Sequence, residues 1–174
     1  MSELTKKALA VSLKKLLSKK ELSKITISNI TDECGVNRQT FYYHFKDIYD
    51  LLEWIYKNEV IDEIDNKDEE WQQRFLYIFK YVLKNKEFVK NTYNSISREY
   101  LLRFLIDFID KESEGMNIKV EDKKFMADFY KYGFVGILQE WIEDGMKEEP
   151  EGIIRKLNNI IEGDFKKALE KMQN

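Results

Sequence analysis

The sequence predicts an all-α fold of about nine helices, short ones first and longer ones at the end. Three observations predict it. The 174 residues include one proline and seven glycines, too few breakers for a turn-rich β fold. Hydrophobic residues make up 43% of the chain, enough for a packed core and too many for a disordered chain. Apolar residues recur at helical spacing in one segment after another, and no segment reads as a strand or an internal repeat.

Taken in order, Leu4, Ala8, Val11, Leu13, Leu16 and Leu17 mark a first amphipathic helix over about 3–19, with lysines between them. Residues 18–24 form a polar break. Thr26 is placed to cap a second helix, because its hydroxyl can accept from free amides of the next turn. Ile27, Ile30 and Cys34 give that helix its inner face, and Gly35 ends it. Asn37 can cap a third helix running to about Phe45. Asp47 can cap a fourth that carries Ile48, Leu51, Leu52, Ile55 and Val60. The polar run 62–70, DEIDNKDEE, separates these from the rest. Trp71, Phe75, Ile78, Phe79 and Val82 share one helix face. Shorter helices are expected over 88–93 and 97–111, with a loop over 111–120. Two longer helices close the chain, about 121–144 and 150–171. Gly145 suits the stop of the former and Pro150 the first turn of the latter.

Several function classes are excluded or disfavoured. Cys34 is the single cysteine, so no disulfide staples the fold, which fits a reducing cytoplasm. The N-terminal MSELTKKALAVSLKKLL lacks the unbroken apolar stretch of a signal peptide, and no long uncharged apolar run follows. The expectation is a soluble cytoplasmic protein without a membrane partner. His44 is the only histidine. No motif sets a nucleophile beside it, and one His with one Cys does not make a zinc site. A small carboxylate-metal enzyme would need clustered acids, and the acids here form no such motif. No cofactor and no enzymatic activity are expected.

The charge is informative once divided. Residues 1–46 hold nine basic and four acidic residues, a net +5, while the remainder holds 20 basic and 28 acidic, a net −8. A basic head on an acidic body suggests that only the head meets a polyanion. The head also holds the most specific stretch, TISNITDECGVNRQTFYYHF, residues 26–45. A helix-turn-helix needs a small residue late in its first helix, Gly in the turn and an apolar residue just after. Cys34, Gly35 and Val36 supply these in order. The second helix must present polar groups at its N-terminal end, where base edges are reached. Arg38, Gln39 and Thr40 do so: Arg can pair with guanine, Gln with adenine, and the Thr methyl can touch thymine. Phe41 and Phe45 read as core, and Tyr42 and Tyr43 as outward-facing.

On these residues the chain resembles the TetR family. Thr26, Ile27, Ile30, Cys34, Gly35, Val36, Asn37, Thr40, Phe41, Tyr42, His44, Phe45 and Leu51 stand where that family's N-terminal signature has its marked positions. The resemblance covers about a third of the chain. It implies a DNA-binding domain over 1–48 and a helical effector-binding and dimerisation domain over 49–174. It implies phosphate contacts from Tyr42 and His44 and major-groove contacts from Arg38, Gln39 and Thr40. Thr26, Ser28, Tyr43 and Lys46 complete the set expected to face DNA. Thr31 and Cys34 depart from the usual Ala, and both are small. Ile48 stands where the family often has a phosphate-binding Lys, with Lys46 as the substitute.

The implied partners are a palindromic double-stranded DNA operator and a second copy of the chain. A small-molecule effector is expected as the controlling ligand, with a partner protein as the alternative. Phe125, Phe129, Tyr132 and Gly136 line one side of the penultimate helix, with Gly133 beside them. Leu157, Ile161, Phe165 and Leu169 belong to the broad apolar face of the last. Both faces suit an intersubunit four-helix bundle. Trp54, Trp71, Phe75, Phe79, Tyr100, Phe104, Phe108, Phe129 and Trp141 are the residues expected to line an effector cavity, or else to fill the core. The acidic run Glu148, Glu149, Glu151 reads as a solvated loop. Residues 132–153, YGFVGILQEWIEDGMKEEPEGI, also resemble a branch of the family that includes regulators of dihydroxyacetone kinase operons, some of them activators working with a protein partner.

Overall fold

The structure is a computed structural model that describes residues 2–61, 71–93 and 120–160. Among these residues it is all-α, with eight α-helices. They are α1 (Ser2–Leu17), α2 (Ile27–Cys34), α3 (Arg38–His44), α4 (Ile48–Tyr56), α5 (Trp71–Lys84), α6 (Lys86–Tyr93), α7 (Val120–Glu143) and α8 (Pro150–Ile160). The polar run 62–70, the helix expected over 97–111, most of the expected loop over 111–120 and the continuation of the last helix to 171 lie outside the described residues.

Among the described residues the sequence places the helices well but misses two short features. The break after α1 contains a 3₁₀ turn, Leu22–Lys24, whose Leu22 is buried. One apolar side chain anchors an otherwise polar connection. The fourth helix does not run on as α-helix to Val60. It passes at Lys57–Ile61 into a turn of π-helix, and Val60 is still buried. Periodicity alone does not reveal that extra residue per turn.

The inner face of α1 also differs from the one expected. Leu9, Ala10, Leu13 and Leu17 are buried, whereas Leu4 and Val11 are 75% and 65% exposed. The helix carries two apolar stripes, and docking chooses between them. α1 packs on α2, α3 and α4 and also against α6, which leaves the stripe of Leu4 and Val11 outside. Ser12 is buried on the docked side, with its hydroxyl donating to the Ala8 carbonyl at 2.9 Å.

One buried apolar cluster runs without interruption from Leu9 to Leu157. The head is therefore built onto the body rather than tethered to it. Polar contacts reinforce the junction. Asn91 of α6 donates to the Leu17 carbonyl at 2.7 Å and so satisfies an open carbonyl at the end of α1. Lys14 of α1 reaches Glu59 in the π turn at 2.5 Å. The Tyr81 hydroxyl of α5 donates to the same carboxylate at 2.8 Å, and Tyr77 donates to the Glu59 carbonyl at 3.1 Å.

Near the other end, α7 stops at Gly145, whose φ is +83°. The amides of Gly145 and Met146 return to the carbonyls of Ile142 and Trp141, closing the helix end in a Schellman arrangement. Lys86 donates to the Gly145 carbonyl at 2.7 Å. The acidic run beyond is more engaged than a solvated loop. The Trp141 indole donates to the Glu148 carbonyl at 2.8 Å, Glu148 pairs with Lys156, and Glu151 sits in α8 and pairs with Lys80 of α5. The bond from Lys80 holds the exposed Glu151 carboxyl below its usual range. Charges well separated in sequence meet only because α8 packs on α5.

Burial also affects the two tyrosines nearest Glu59. Loss of water pushes the Tyr56 hydroxyl up to about 12, and it pushes Tyr81 up as well, with Glu59 adding to the effect. Both are held in the neutral form. The folded state thus binds these protons more tightly than the unfolded chain, and the contribution is complete below the ordinary tyrosine value of about 10. Stability is expected to fall as pH rises from about 10 to about 12. The Tyr56 part is worth about 3 kcal/mol. Urea midpoints across that range test it. The fall should be shallower in Tyr56→Phe, and an identical fall in the variant would contradict the assignment.

Candidate nucleic-acid interface

Residues 26–45 build two short helices across a tight turn, and each joint has a visible cause. The Thr26 hydroxyl accepts from the Asn29 amide at 3.2 Å, while the Asn29 side chain accepts from the Thr26 amide at 3.0 Å. This reciprocal cap fixes the start of α2. Gly35 ends α2 with φ +73°, and the Gly35 and Val36 amides return to the carbonyls of Asp32 and Thr31. Val36 packs against the core and plugs the turn. Asn37 then caps α3 by accepting from the Thr40 amide at 2.8 Å. No atom lies within 4 Å of the place a Gly35 side chain would occupy. Gly35→Ala is therefore expected to cost only the left-handed backbone strain, about 1–2 kcal/mol. Gly35→Asn should cost less, since Asn tolerates that conformation. Thermal denaturation of the two variants measures the difference.

Phe41 and Phe45 are buried, and together they seat α3 on the head. Their burial turns the opposite face outward. Arg38 and Gln39 are exposed at the start of α3, and Tyr42 and Tyr43 are 57% and 82% exposed further along. Tyr42 rests edge-on against Phe41, with ring centroids 5.8 Å apart. Tyr43 meets His44 edge-on at 5.0 Å. The rings are steadied by packing while their polar ends remain free of the core. Two adjacent tyrosines cannot both be buried on a helix of this register, as the sequence reading requires.

The other expected DNA-facing residues fall around this helix. Thr26 is exposed and Ser28 half-buried at the start of α2, and His44 is half-buried at the end of α3. Thr40 is half-buried, and its hydroxyl already donates to the Asn37 side chain at 3.0 Å. Its methyl, rather than its hydrogen, is what it can offer a base. Lys46 is exposed, and its backbone amide donates to Asp50 at 2.8 Å, which fixes the exit of the motif. Ile48 packs against the core, so the position where a Lys is common faces inward here. Cys34 is half-buried and also packs on the core.

Ion pairing refines the charge of the head. Lys6, Lys14, Lys15 and Lys24 pair with Glu3, Glu59, Glu33 and Glu21. Lys7, Lys19, Lys20, Arg38 and Lys46 have no side-chain partner among the described residues. Two of these five, Arg38 and Lys46, flank α3.

In the body, Phe75 and Phe79 meet on Phe134, and Trp141 joins them through Phe79. The ring centroids of Phe75 and Phe79 lie 3.5 and 5.9 Å from that of Phe134, and Phe79 lies 5.1 Å from Trp141. Trp54 lies elsewhere, with its ring 6.1 Å from Phe45. Phe129 is not with the cluster. It is 66% exposed on the outer side of α7, with Phe125 at 72% and Tyr132 at 64%. These three and the exposed Gly136 fall at i, i+4, i+7 and i+11, one continuous face. No atom lies within 4 Å of where a side chain at Gly133 or Gly136 would begin. Leu157 is buried within its own chain and is not part of this outer face. The Trp71 side chain, Tyr100, Phe104, Phe108, Ile161, Phe165 and Leu169 lie outside the described residues.

Two family descriptions match the sequence. Residues 12–55 match "Bacterial regulatory proteins, tetR family", and residues 69–163, more than half of the chain, match the TetR-type "Transcriptional regulator C-terminal region". The chain belongs to the TetR family of transcriptional regulators. A curated TetR-type relative, "HTH-type dhaKLM operon transcriptional activator DhaS" of Lactococcus lactis subsp. lactis (strain IL1403), is 31% identical over 109 residues. That match covers 62% of this chain and 58% of the relative, so it spans little more than half of the relative's length. Two solved TetR-like structures share the fold. "Dihydroxyacetone kinase operon activator DhaS" superposes with a TM-score of 0.74 at 24% identity, over 93% of this chain and 96% of that one. The fatty acid degradation regulator FadR from Bacillus halodurans gives 0.60 at 14% identity, over 91% and 95%. This TetR-family chain thus carries a regulator's head, and family membership makes its role regulatory, not enzymatic. Among the described residues no helix is long and apolar enough to cross a membrane.

Sequence reasoning missed the residues that join head to body. Lys14 reads as one more lysine on a polar face and Glu59 as one more acid. They are 45 positions apart, and only the fold brings them together. The interruption of the apolar pattern after Tyr56 is the one signal that could have marked the π turn.

Proposed function

We propose that the chain is a cytoplasmic homodimeric regulator that binds a palindromic double-stranded DNA operator through residues 1–48, with residues 49–174 serving dimerisation and control. The observation that carries this reading is the outer face of α3. Phe41 and Phe45 are buried beneath it while Arg38, Gln39, Tyr42 and Tyr43 project away from the core. Arg38, Gln39 and the Thr40 methyl read base edges. Tyr42, Tyr43, His44, Lys46, Thr26 and Ser28 contact the backbone and set the register. Dimerisation runs through the α7 face of Phe125, Phe129, Tyr132 and Gly136. It sets two heads about one helical turn of DNA apart, roughly 34–36 Å. A small-molecule effector shifts the body between two arrangements and releases the heads, which makes the protein a repressor.

A second reading is favoured by one observation. Phe75 and Phe79 pack against Phe134, and Trp141 packs against Phe79, so among the described residues these rings fill one another's space. In that reading a partner protein replaces the small molecule and the chain acts as an activator, as the DhaS relatives are named. Binding of the purified protein to genomic fragments, including its own promoter region, across a salt series tests the function. Saturable, sequence-selective binding that weakens steeply with salt is expected. Uniformly weak, unselective binding in the presence of cell metabolites and extract would overturn it.

A further inference from the structure

The seam between head and body is not closed. Between α1 on one side and the α4–π turn and α5 on the other lies a cleft of about 530 Å³. That is the size of a small-molecule site. Its lining is strongly one-sided in charge: Lys7, Lys14, Lys80 and Lys84 stand against the single acid Glu59. Glu59 neutralises Lys14, and Glu151 from α8 neutralises Lys80. Lys7 and Lys84 have no partner among the described residues. Two ammonium groups thus line a common recess, and among the described residues no acid pairs with either. A recess with low-dielectric walls concentrates such a field.

The recess also has an apolar plate and spare donors. Trp54 is half-buried in its wall, and its indole N–H meets no acceptor among the described residues. Asn58 and Asn85 each donate to a backbone carbonyl four residues back, at 2.9 and 2.8 Å, which leaves each a second N–H. Cations and N–H groups without a partner among the described residues, set beside a flat apolar wall, together describe a site for an organic anion.

We propose that this cleft binds a small organic anion, a carboxylate or phosphate ester with a flat apolar body. Its acid group sits between Lys7 and Lys84, and its body lies along Trp54. The site is apart from the aromatic cluster of Phe75, Phe79, Phe134 and Trp141. Its position gives it a means of control. Lys14 ties α1 to Glu59 of the π turn, and an anion in the cleft competes with Glu59 for that ammonium group. Occupancy therefore alters how the head is held on the body. This consequence rests on the reading of the chain as an effector-controlled DNA-binding regulator, whereas binding in the cleft does not.

The test has two arms. In the first, without DNA, the full chain is titrated with phenyl phosphate and with benzoate, following tryptophan fluorescence and melting temperature at constant ionic strength. Saturable binding with half-saturation at or below about 1 mM is expected for at least one of them. It should weaken at least tenfold in Lys84→Gln and in Lys7→Gln, and stay unchanged in Lys147→Gln. Benzylamine, with the same ring and the opposite charge, should not bind. The ratio of phenyl phosphate to benzoate affinity tells which acid group the site prefers. Absence of saturation with both anions, or equal responses in wild type and both cleft variants, would overturn the site. In the second arm, a saturating probe is expected to change the affinity for the selected DNA several-fold. Unchanged DNA affinity with the cleft occupied would overturn the control. Failure of the chain to select DNA at all would count against the regulator reading and leave the first arm standing.

Discussion

Phe129→Glu combined with Tyr132→Glu is expected to leave the protein monomeric and to abolish specific DNA binding. Phe125, Phe129 and Tyr132 are each about two-thirds exposed on one face of α7. Such a row of large rings at the surface of a soluble helix is a sign of a covered face. Covering one large aromatic is worth about 2 kcal/mol, so six rings across a two-fold axis supply about 12 kcal/mol. Association costs a sum of the same order, about 4–15 kcal/mol. Two carboxylates per chain buried at that axis cannot be accommodated, because each loses its water and meets its own copy. The head is untouched, so the fold should persist. Sedimentation equilibrium and circular dichroism report the two outcomes separately. A dimer of undiminished strength would move the interface elsewhere. A folded monomer that still bound operator tightly would sink the idea that two heads are needed.

Tyr42→Ala with His44→Ala is expected to abolish operator binding with the dimer intact. In the proposed DNA-bound dimer these two side chains contact phosphates, so the double variant would lose four such contacts. At about 1–1.5 kcal/mol each, the loss is about 4–6 kcal/mol, or on the order of 10³–10⁴ in affinity. Tyr42 lies against Phe41 on the outside of the head core, so its removal should cost little stability. Tyr42→Phe keeps that packing and removes only the hydroxyl, and it separates phosphate contact from ring packing. Fluorescence anisotropy with the selected operator measures both. Undiminished binding by the double variant would refute the site assignment.

The head was legible because its geometry is local. Thr26, Gly35 and Asn37 act within four residues of where they stand, and their caps and turn follow from side-chain chemistry and from the backbone freedom of glycine. The alternation of buried Phe41 and Phe45 with exposed Tyr42 and Tyr43 follows from the helical repeat once one face is apolar. Elsewhere two solutions fit the same pattern. α1 has two apolar stripes, and only its docking between α2, α4 and α6 buries Leu9 and Leu13 while leaving Leu4 and Val11 outside. Phe129 fits both a cavity wall and an outer face in sequence, and the structure puts it on the outer face.

Among the described residues the sequence by itself thus determined the helices, their caps, the turn of the helix-turn-helix and the family. Those depend on interactions between near neighbours in the chain. The tertiary structure decided which stripe of each helix is inside, that Lys14 meets Glu59, and that Lys7 and Lys84 share a cleft beside Trp54. Those depend on how helices cross, and contacts between residues dozens of positions apart leave no trace in local periodicity.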